Sequence, residues 1–262
     1  HRIAEQLGDE AVSINRYLKA GETGSFSAAE PWVFVAPVYA WRLPPVVERW
    51  IEGSTFEGGR DAYFVFTCGG CSRNAGAYVK RLCERTGLVF RGAADVVMTK
   101  NYLAMGPTSP AEECQPLIDA ALPRIDRIAA RIRAREQLPE QPATLDDKLH
   151  SGPLNPLFYA FCVSDKGFAV SERCTSCGMC AVFCPTGALK KSDLVPEEGE
   201  GSFLEFSAAD CVQCNLCADA CLKDCLTVSP IVATEELFDF EPRLIYLPNP
   251  PARPGILSSL KR

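Results

Sequence analysis

The chain has 262 residues, with 27 Lys and Arg against 33 Asp and Glu, for a formal net charge of −6. That length suits two domains, each with its own core. The mild acidity argues against a nucleic-acid surface, and no apolar run approaches the roughly 20 residues of a membrane helix. Fourteen cysteines would suit a disulfide framework in a short secreted protein. In this longer chain eight of them fall into two tight groups with metal-ligand spacing, which predicts free thiols in a reducing, cytoplasmic compartment.

Residues 1–135 alternate apolar strands with amphipathic helices. "RIAEQL" carries Ile3 and Leu7 four apart and stops at Gly8, as the last turns of a helix do. "AVSI" (11–14) is a weak strand, and "WVFVAPV" (32–38) a strong one apolar on both faces. A helix is expected in "PPVVERWIEG" (44–53), where prolines suit the first turn. A second buried strand, "AYFVFT" (62–67), leads through a glycine turn into the helix "NAGAYVKRLCERTG". After "ADVVM" (94–98) comes a long helix, about 110–134, with Leu117, Ile118, Ala121, Ile125, Ile128 and Ile132 on one stripe. Continuous apolar strands alternating with helices predict an α/β domain with a doubly wound parallel sheet, covered on both faces.

Residues 136–153, proline-rich and without apolar periodicity, read as a linker. From 154 to 240 the chain is cysteine-rich and repeats itself. "ERCTSCGMCAVFCPTGAL" (172–189) matches "ADCVQCNLCADACLKDCL" (209–226) with a period of 37 from Cys174 to Cys211. Two half-units too small for separate cores predict a small α+β domain organised around cofactors. Residues 241–262 form a proline-rich tail.

The spacing C-x2-C-x2-C-x3-C wraps three thiolates about one cube and sends the fourth to another. Cys174, Cys177 and Cys180 are therefore expected to bind one [4Fe-4S] cluster with Cys221, and Cys211, Cys214 and Cys217 a second with Cys184. Zinc also uses C-x2-C pairs, but two runs of four thiolates would make two closed sites of unusual crowding. The segment resembles the bacterial two-cluster ferredoxins over about residues 165–230. It departs from them in having Leu222 for the usual proline and an extra Cys225, which competes with Cys221 for the ligand role. The spacing of Cys221 repeats that of Cys184, so Cys221 is the expected ligand and Cys225 a buried small residue.

In open α/β sheets the ligand site lies at the carboxyl ends of the strands. The loop "APVYAWRLPP" (36–45) presents Tyr39 and Trp41, aromatics able to stack on a flat ring, and "TCGGCSRNAG" (67–76) offers the backbone N–H groups of Gly69 and Gly70. The bland readings are half-buried packing residues and a simple turn. Together, "FVAPVYAWRLPPVVERW", "AYFVFTCGG", "MTKNYLAMG" and "ERCTSCGMC" make the chain similar to the EFR-type fusion proteins of anaerobes, in which a flavodoxin-like domain precedes a two-cluster ferredoxin. The resemblance implies FMN as flavin, with Pro37, Val38, Tyr39, Ala40, Trp41, Thr67, Cys68, Gly69 and Gly70 beside it. In a flavodoxin-like sheet of order 2-1-3-4-5 the first strand is central and is followed by the phosphate loop. This chain opens on His1, inside what would be the first helix, so that strand and loop, roughly 10 to 15 residues, are expected in a preceding segment; the alternative is a flavin-free remnant of the domain.

Cys68 and Cys71 form a C-x-x-C pair with a thiol-redox reading beside the turn reading. Cys83, Cys114 and Cys162 read as packing residues, and neither His1 nor His150 is a persuasive catalyst. The leading expectation is electron transfer between two clusters and a flavin, linking redox partner proteins or small electron carriers to two-electron partners, with no membrane span. The alternatives are a flavin-dependent reductase of a small molecule, using Tyr39, Arg42 or Tyr102 as proton donor, and an interaction module with structural or oxygen-sensing clusters.

Overall fold

Helix starts and stops follow the local chemistry read from the chain. The computed structural model describes residues 1–99, 109–140, 142–163, 168–192, 203–207, 210–228 and 243–246. The first helix, α1 (Arg2–Leu7), ends at Gly8 in the left-handed region, φ 71°. The weak strand expected at 11–14 does not form. Ile14 instead opens α2 (Ile14–Ala20), because Ile14, Tyr17 and Leu18 at helical spacing pack on an apolar core.

Next come β1 (Ser25–Ala28), β2 (Trp32–Pro37), α3 (Pro45–Gly53), β3 (Thr55–Gly58), β4 (Asp61–Cys68), α4 (Ala75–Thr86), β5 (Val89–Val97) and α5 (Ala111–Arg133). Strands β2, β4 and β5 form a parallel sheet in that order. A separate parallel pair joins β1 to β3. Its segments, "SFSA" and "TFEG", are too polar to announce themselves as strands; Phe26 stacked on Phe56 at 5.8 Å holds them.

Alternation along β4 divides the core. Phe64 and Phe66 face Trp50 and Ile51 of α3 and Val79 and Leu82 of α4, whereas Tyr63 and Val65 face Ile3 of α1 and Ala121, Ile128 and Ile132 of α5. Helices thus cover both faces, the α/β arrangement that two-sided apolar strands require. The outer edge of β2 pairs with no described strand, and Val35 on it is half exposed.

Residues 135–153 carry more structure than their composition suggests. Leu138 is buried beneath β5, its N–H donating to the Arg91 carbonyl at 2.9 Å. Thr144 caps α6 (Leu145–Leu149) in a reciprocal capping box with Asp147. A π-turn over His150–Leu154 then delivers the chain to α7 (Asn155–Cys162).

The cysteine segment contains β6 (Phe168–Val170), α8 (Met179–Phe183), β7 (Leu189–Lys191), β8 (Phe203–Phe206), α9 (Leu216–Asp219) and β9 (Leu226–Val228). Antiparallel pairing crosses the halves, β6 with β9 and β7 with β8. Of the tail, only β10 (Arg243–Tyr246) is described, paired with β8. Among the described residues no helix is long and apolar enough to cross a membrane.

Candidate metal centre and sheet-end cleft

The 37-residue repeat is written into the backbone. Ser176 and Gln213 have φ of 52° and 48°, Gly178 and Asn215 of 74° and 58°, and Gly187 and Asp224 of 71° and 45°. Each pair stands 37 apart. The first two pairs lie inside the C-x2-C-x2-C runs and coil each around its sulfurs, while the third follows the fourth cysteine; in both halves a backbone N–H turns inward: Ser176 to Cys174 Sγ and Gln213 to Cys211 Sγ, each at 3.4 Å. Helices α8 and α9 then carry the third cysteine, Cys180 or Cys217, and end short of the fourth.

One cavity is lined by Cys184 together with Cys211, Cys214 and Cys217. The fourth cysteine of the first run thus sits with the first three of the second. In the other group, Cys174 and Cys177 lie against Cys180, and Cys225 lies against both Cys174 and Cys221, its sulfur 3.1 Å from that of Cys221. Leu189, Leu204, Phe206 and Leu226 pack around the cysteines. Burial, reinforced by neighbouring thiols, pushes Cys211 and Cys217 up to about 12 and raises Cys180 and Cys214. At Cys221 burial works in the same direction but is outweighed by hydrogen bonds from the Cys225 side chain and from nearby backbone N–H groups, which bring it down to about 7.

This donor set fits iron–sulfur chemistry: soft thiolates, all but the exposed Cys177 at least partly buried, and met by backbone N–H groups. Among the described residues no three His, Cys, Asp or Glu side chains are arranged to hold a metal ion. The fit therefore rests on the donor type and on which cysteines neighbour which. All fourteen cysteines are free of disulfides.

A second feature opens at the carboxyl ends of β2 and β4. Val38, Ala40, Trp41, Cys68, Gly69 and Gly70 line a cleft of about 340 Å³, joined by Cys71 and Arg73. That volume lies within the range of small-molecule and cofactor sites. Pro37, Tyr39 and Thr67 are not in the lining. Pro37 ends β2 beside Thr67, the Thr67 carbonyl accepts the Val38 N–H at 2.9 Å, and Tyr39 exchanges backbone hydrogen bonds with Arg42. Arg42 is also outside the lining, its guanidinium 3.9 Å from the Tyr78 ring centroid and paired with Asn155 and Glu48. Tyr102, with most of "MTKNYLAMG", lies outside the described residues.

Ala40 and Trp41 adopt φ of 46° and 64°, a strained conformation for residues with a Cβ. Two buried polar side chains hold it: Asn155 donates to the Ala40 carbonyl at 2.7 Å, and the Ser151 hydroxyl to the Trp41 carbonyl at 2.9 Å. Ser151 also accepts the Asn74 N–H at 3.0 Å, so one hydroxyl ties both cleft loops together. Asp95 accepts the Ser72 N–H at 2.9 Å and fixes the turn after Gly70. Arg73 is anchored on Asp146 and Asp147 at 2.5 and 3.1 Å. Neither Ser151, Asn155 nor Arg73 was apparent from sequence. The signal for Ser151 and Asn155 is a polar "SGPLN" at the junction of the proline-rich connection and the cysteine-rich segment, and Arg73 lies inside the loop "TCGGCSRNAG". Cys68 is pushed up to about 11, first by burial and then by Asp95, opposite to the lowered value a thiol-redox pair uses. His150 meets the Trp41 ring edge-on at 4.7 Å.

Residues 173–225 match the family model of the 4Fe-4S dicluster domain. This segment is therefore a ferredoxin-type iron–sulfur domain, whose chemistry is 4Fe-4S binding and electron transfer. The match leaves residues 1–172 outside it. No curated protein matches the chain.

Proposed function

We propose that the chain is a flavodoxin-like and two-cluster ferredoxin fusion that passes electrons between two [4Fe-4S] clusters and an FMN-type flavin. The carrying observation is the crossing of Cys184 into the group of Cys211, Cys214 and Cys217, the exchange that two-cluster ferredoxins require. Cys174, Cys177, Cys180 and Cys221 hold the first cluster in this reading. Clusters supply single electrons and a flavin one or two, so the pair would link one-electron carriers to two-electron partners.

The flavin assignment is supported by a parallel sheet with helices on both faces and a cleft at its carboxyl ends. Trp41 supplies an aromatic wall, while Gly69 and Gly70 let backbone approach a flat ring. Pro37, Val38, Tyr39, Ala40, Thr67 and Cys68 complete the two loops. The cysteine segment is linked to the cleft loops through α7. Phe158 of α7 lies 6.2 Å from Trp41, ring to ring, and Gln213, between Cys211 and Cys214, donates to the Cys162 carbonyl at the end of α7 at 3.4 Å. An ion pair, Arg49 to Asp210 at 2.5 Å, joins the domains elsewhere. A continuous packed route thus runs from the second cluster's loop to the cleft wall. Free thiols throughout suit a reducing cytoplasm, and redox proteins or small carriers are the expected partners.

The test is anaerobic purification of the full natural chain, with iron, sulfide and flavin measured together. About eight irons and one FMN per chain are expected. A full complement of iron without flavin would overturn the flavin assignment, and about four irons the second cluster.

A further inference from the structure

We propose that Cys225 is a reserve ligand of the first cluster, placed to take over the iron position that Cys221 holds. The inference rests on the two-cluster reading. Its starting point is a difference between otherwise matching halves. Thirty-seven residues before Cys225 stands Ala188, and both are buried, at 6% and 3% exposed. Their carbonyls accept equivalent hydrogen bonds, Ser171 N–H to Cys225 at 2.9 Å and Ser207 N–H to Ala188 at 2.8 Å. The second half therefore carries a sulfur on a backbone position that the first half fills with a methyl group.

That sulfur is turned toward ligands. It stands 3.1 Å from Cys221 Sγ and against Cys174, while the Cys225 N–H points to Cys221 Sγ at 3.4 Å. Cys225 thus joins a group of neighbouring thiols that already holds Cys174, Cys177, Cys180 and Cys221, whereas Cys184 has only Ala188 in the corresponding place. The connecting turn also differs. Pro185, which fixes φ after Cys184, is replaced by Leu222, which is 89% exposed and makes little packing contact. The turn from Cys221 to Cys225 is thereby freer to adjust than its counterpart. The exchange itself is redox-neutral. Cys225 gives up its thiol proton and forms the sulfur–iron bond, as the Cys221 sulfur–iron bond breaks and Cys221 takes a proton.

The experiment compares iron and sulfide per chain, with paramagnetic resonance spectra of the reduced protein, for Cys221→Ala, Cys225→Ala, the double variant and Cys184→Ala. The wild type, Cys225→Ala and Cys221→Ala are expected to hold about eight irons, the last with an altered spectrum of one cluster. The double variant and Cys184→Ala are expected to fall to about four, a twofold loss, because no spare thiol remains. Iron loss in Cys221→Ala equal to that in the double variant would overturn the proposal, and this comparison stands even if Cys184→Ala fails to fold. Iron loss in Cys225→Ala alone would overturn it too, by making Cys225 the primary ligand. About four irons in the wild type would instead refute the two-cluster reading on which the proposal depends.

Discussion

Ser151 shows how much one side chain can decide. Its hydroxyl is fully buried and bonds both cleft loops, donating to Trp41 and accepting from Asn74. Ser151→Ala would leave a carbonyl and an N–H unpaired, a cost of about 1–3 kcal/mol, and would release the strained turn at Ala40 and Trp41. The expected outcome is a lower thermal midpoint with unchanged iron and, under the proposed flavin site, reduced flavin content; undiminished flavin would remove Ser151 from the positioning of the cleft. The two cysteines of the adjacent turn should behave differently. Cys68 is buried and pushed up to about 11, whereas Cys71 is exposed. At neutral pH an alkylating reagent should label Cys71 first and reach Cys68 only after unfolding, as read by peptide mass mapping. Fast labelling of Cys68 would revive the thiol-redox reading.

Among the elements, α6 is short and its stability depends on its cap. Thr144 accepts the Asp147 N–H at 3.1 Å, and Asp147 accepts the Thr144 N–H at 2.9 Å. Thr144→Ala is expected to cost about 1 kcal/mol, measured by thermal unfolding. Hydrogen bonds from the Thr144 side chain and backbone, then from Arg73, hold the Asp147 carboxyl below its ordinary 3.8. A lowered value means that this contribution is fully present above about pH 4 and is lost as pH falls through the folded value. In a magnetic resonance titration the Thr144 amide should report protonation only below the usual carboxylate range, and Asp147→Asn should abolish the response. On β5, Gly92 has φ 117°, and a Cβ there would meet the Leu138 carbonyl oxygen at 2.6 Å. Gly92→Ala should therefore destabilise by more than about 1 kcal/mol, also visible as a lower thermal midpoint.

At the scale of the whole molecule, the two halves of the chain are stabilised by different means. The first has two apolar clusters on either face of the parallel sheet. The second has a core built largely of cysteines, with Leu189, Leu204, Phe206 and Leu226, so bound iron would supply much of its folding energy. All three tryptophans, Trp32, Trp41 and Trp50, belong to the first part. Anaerobic chelation should abolish the cluster absorbance and the structure of the cysteine segment while the Trp50 environment, and most of the tryptophan emission, remains native. A single unfolding transition shared by both probes would show that the parts are not separable.

What the sequence determined is whatever depends on local spacing. Apolar runs of two-sided strands, glycines after α1 and α4, and the cysteine intervals each act over a few residues, so the α/β character and the iron–sulfur segment were readable directly. Ile14 reads as a strand residue because a four-residue apolar segment cannot show which longer-range core it joins. The β1–β3 pair is not legible in the sequence because two polar segments become strands only when Phe26 meets Phe56. Tertiary structure alone brought Ser151, from the stretch that composition assigns to a linker, and Asn155, just beyond it, to the Ala40–Trp41 turn. It alone set Cys225 3.1 Å from Cys221. The physical reason is the same in each case: a buried hydrogen bond or a sulfur contact depends on separation in space, and folding sets that separation for residues far apart in the chain.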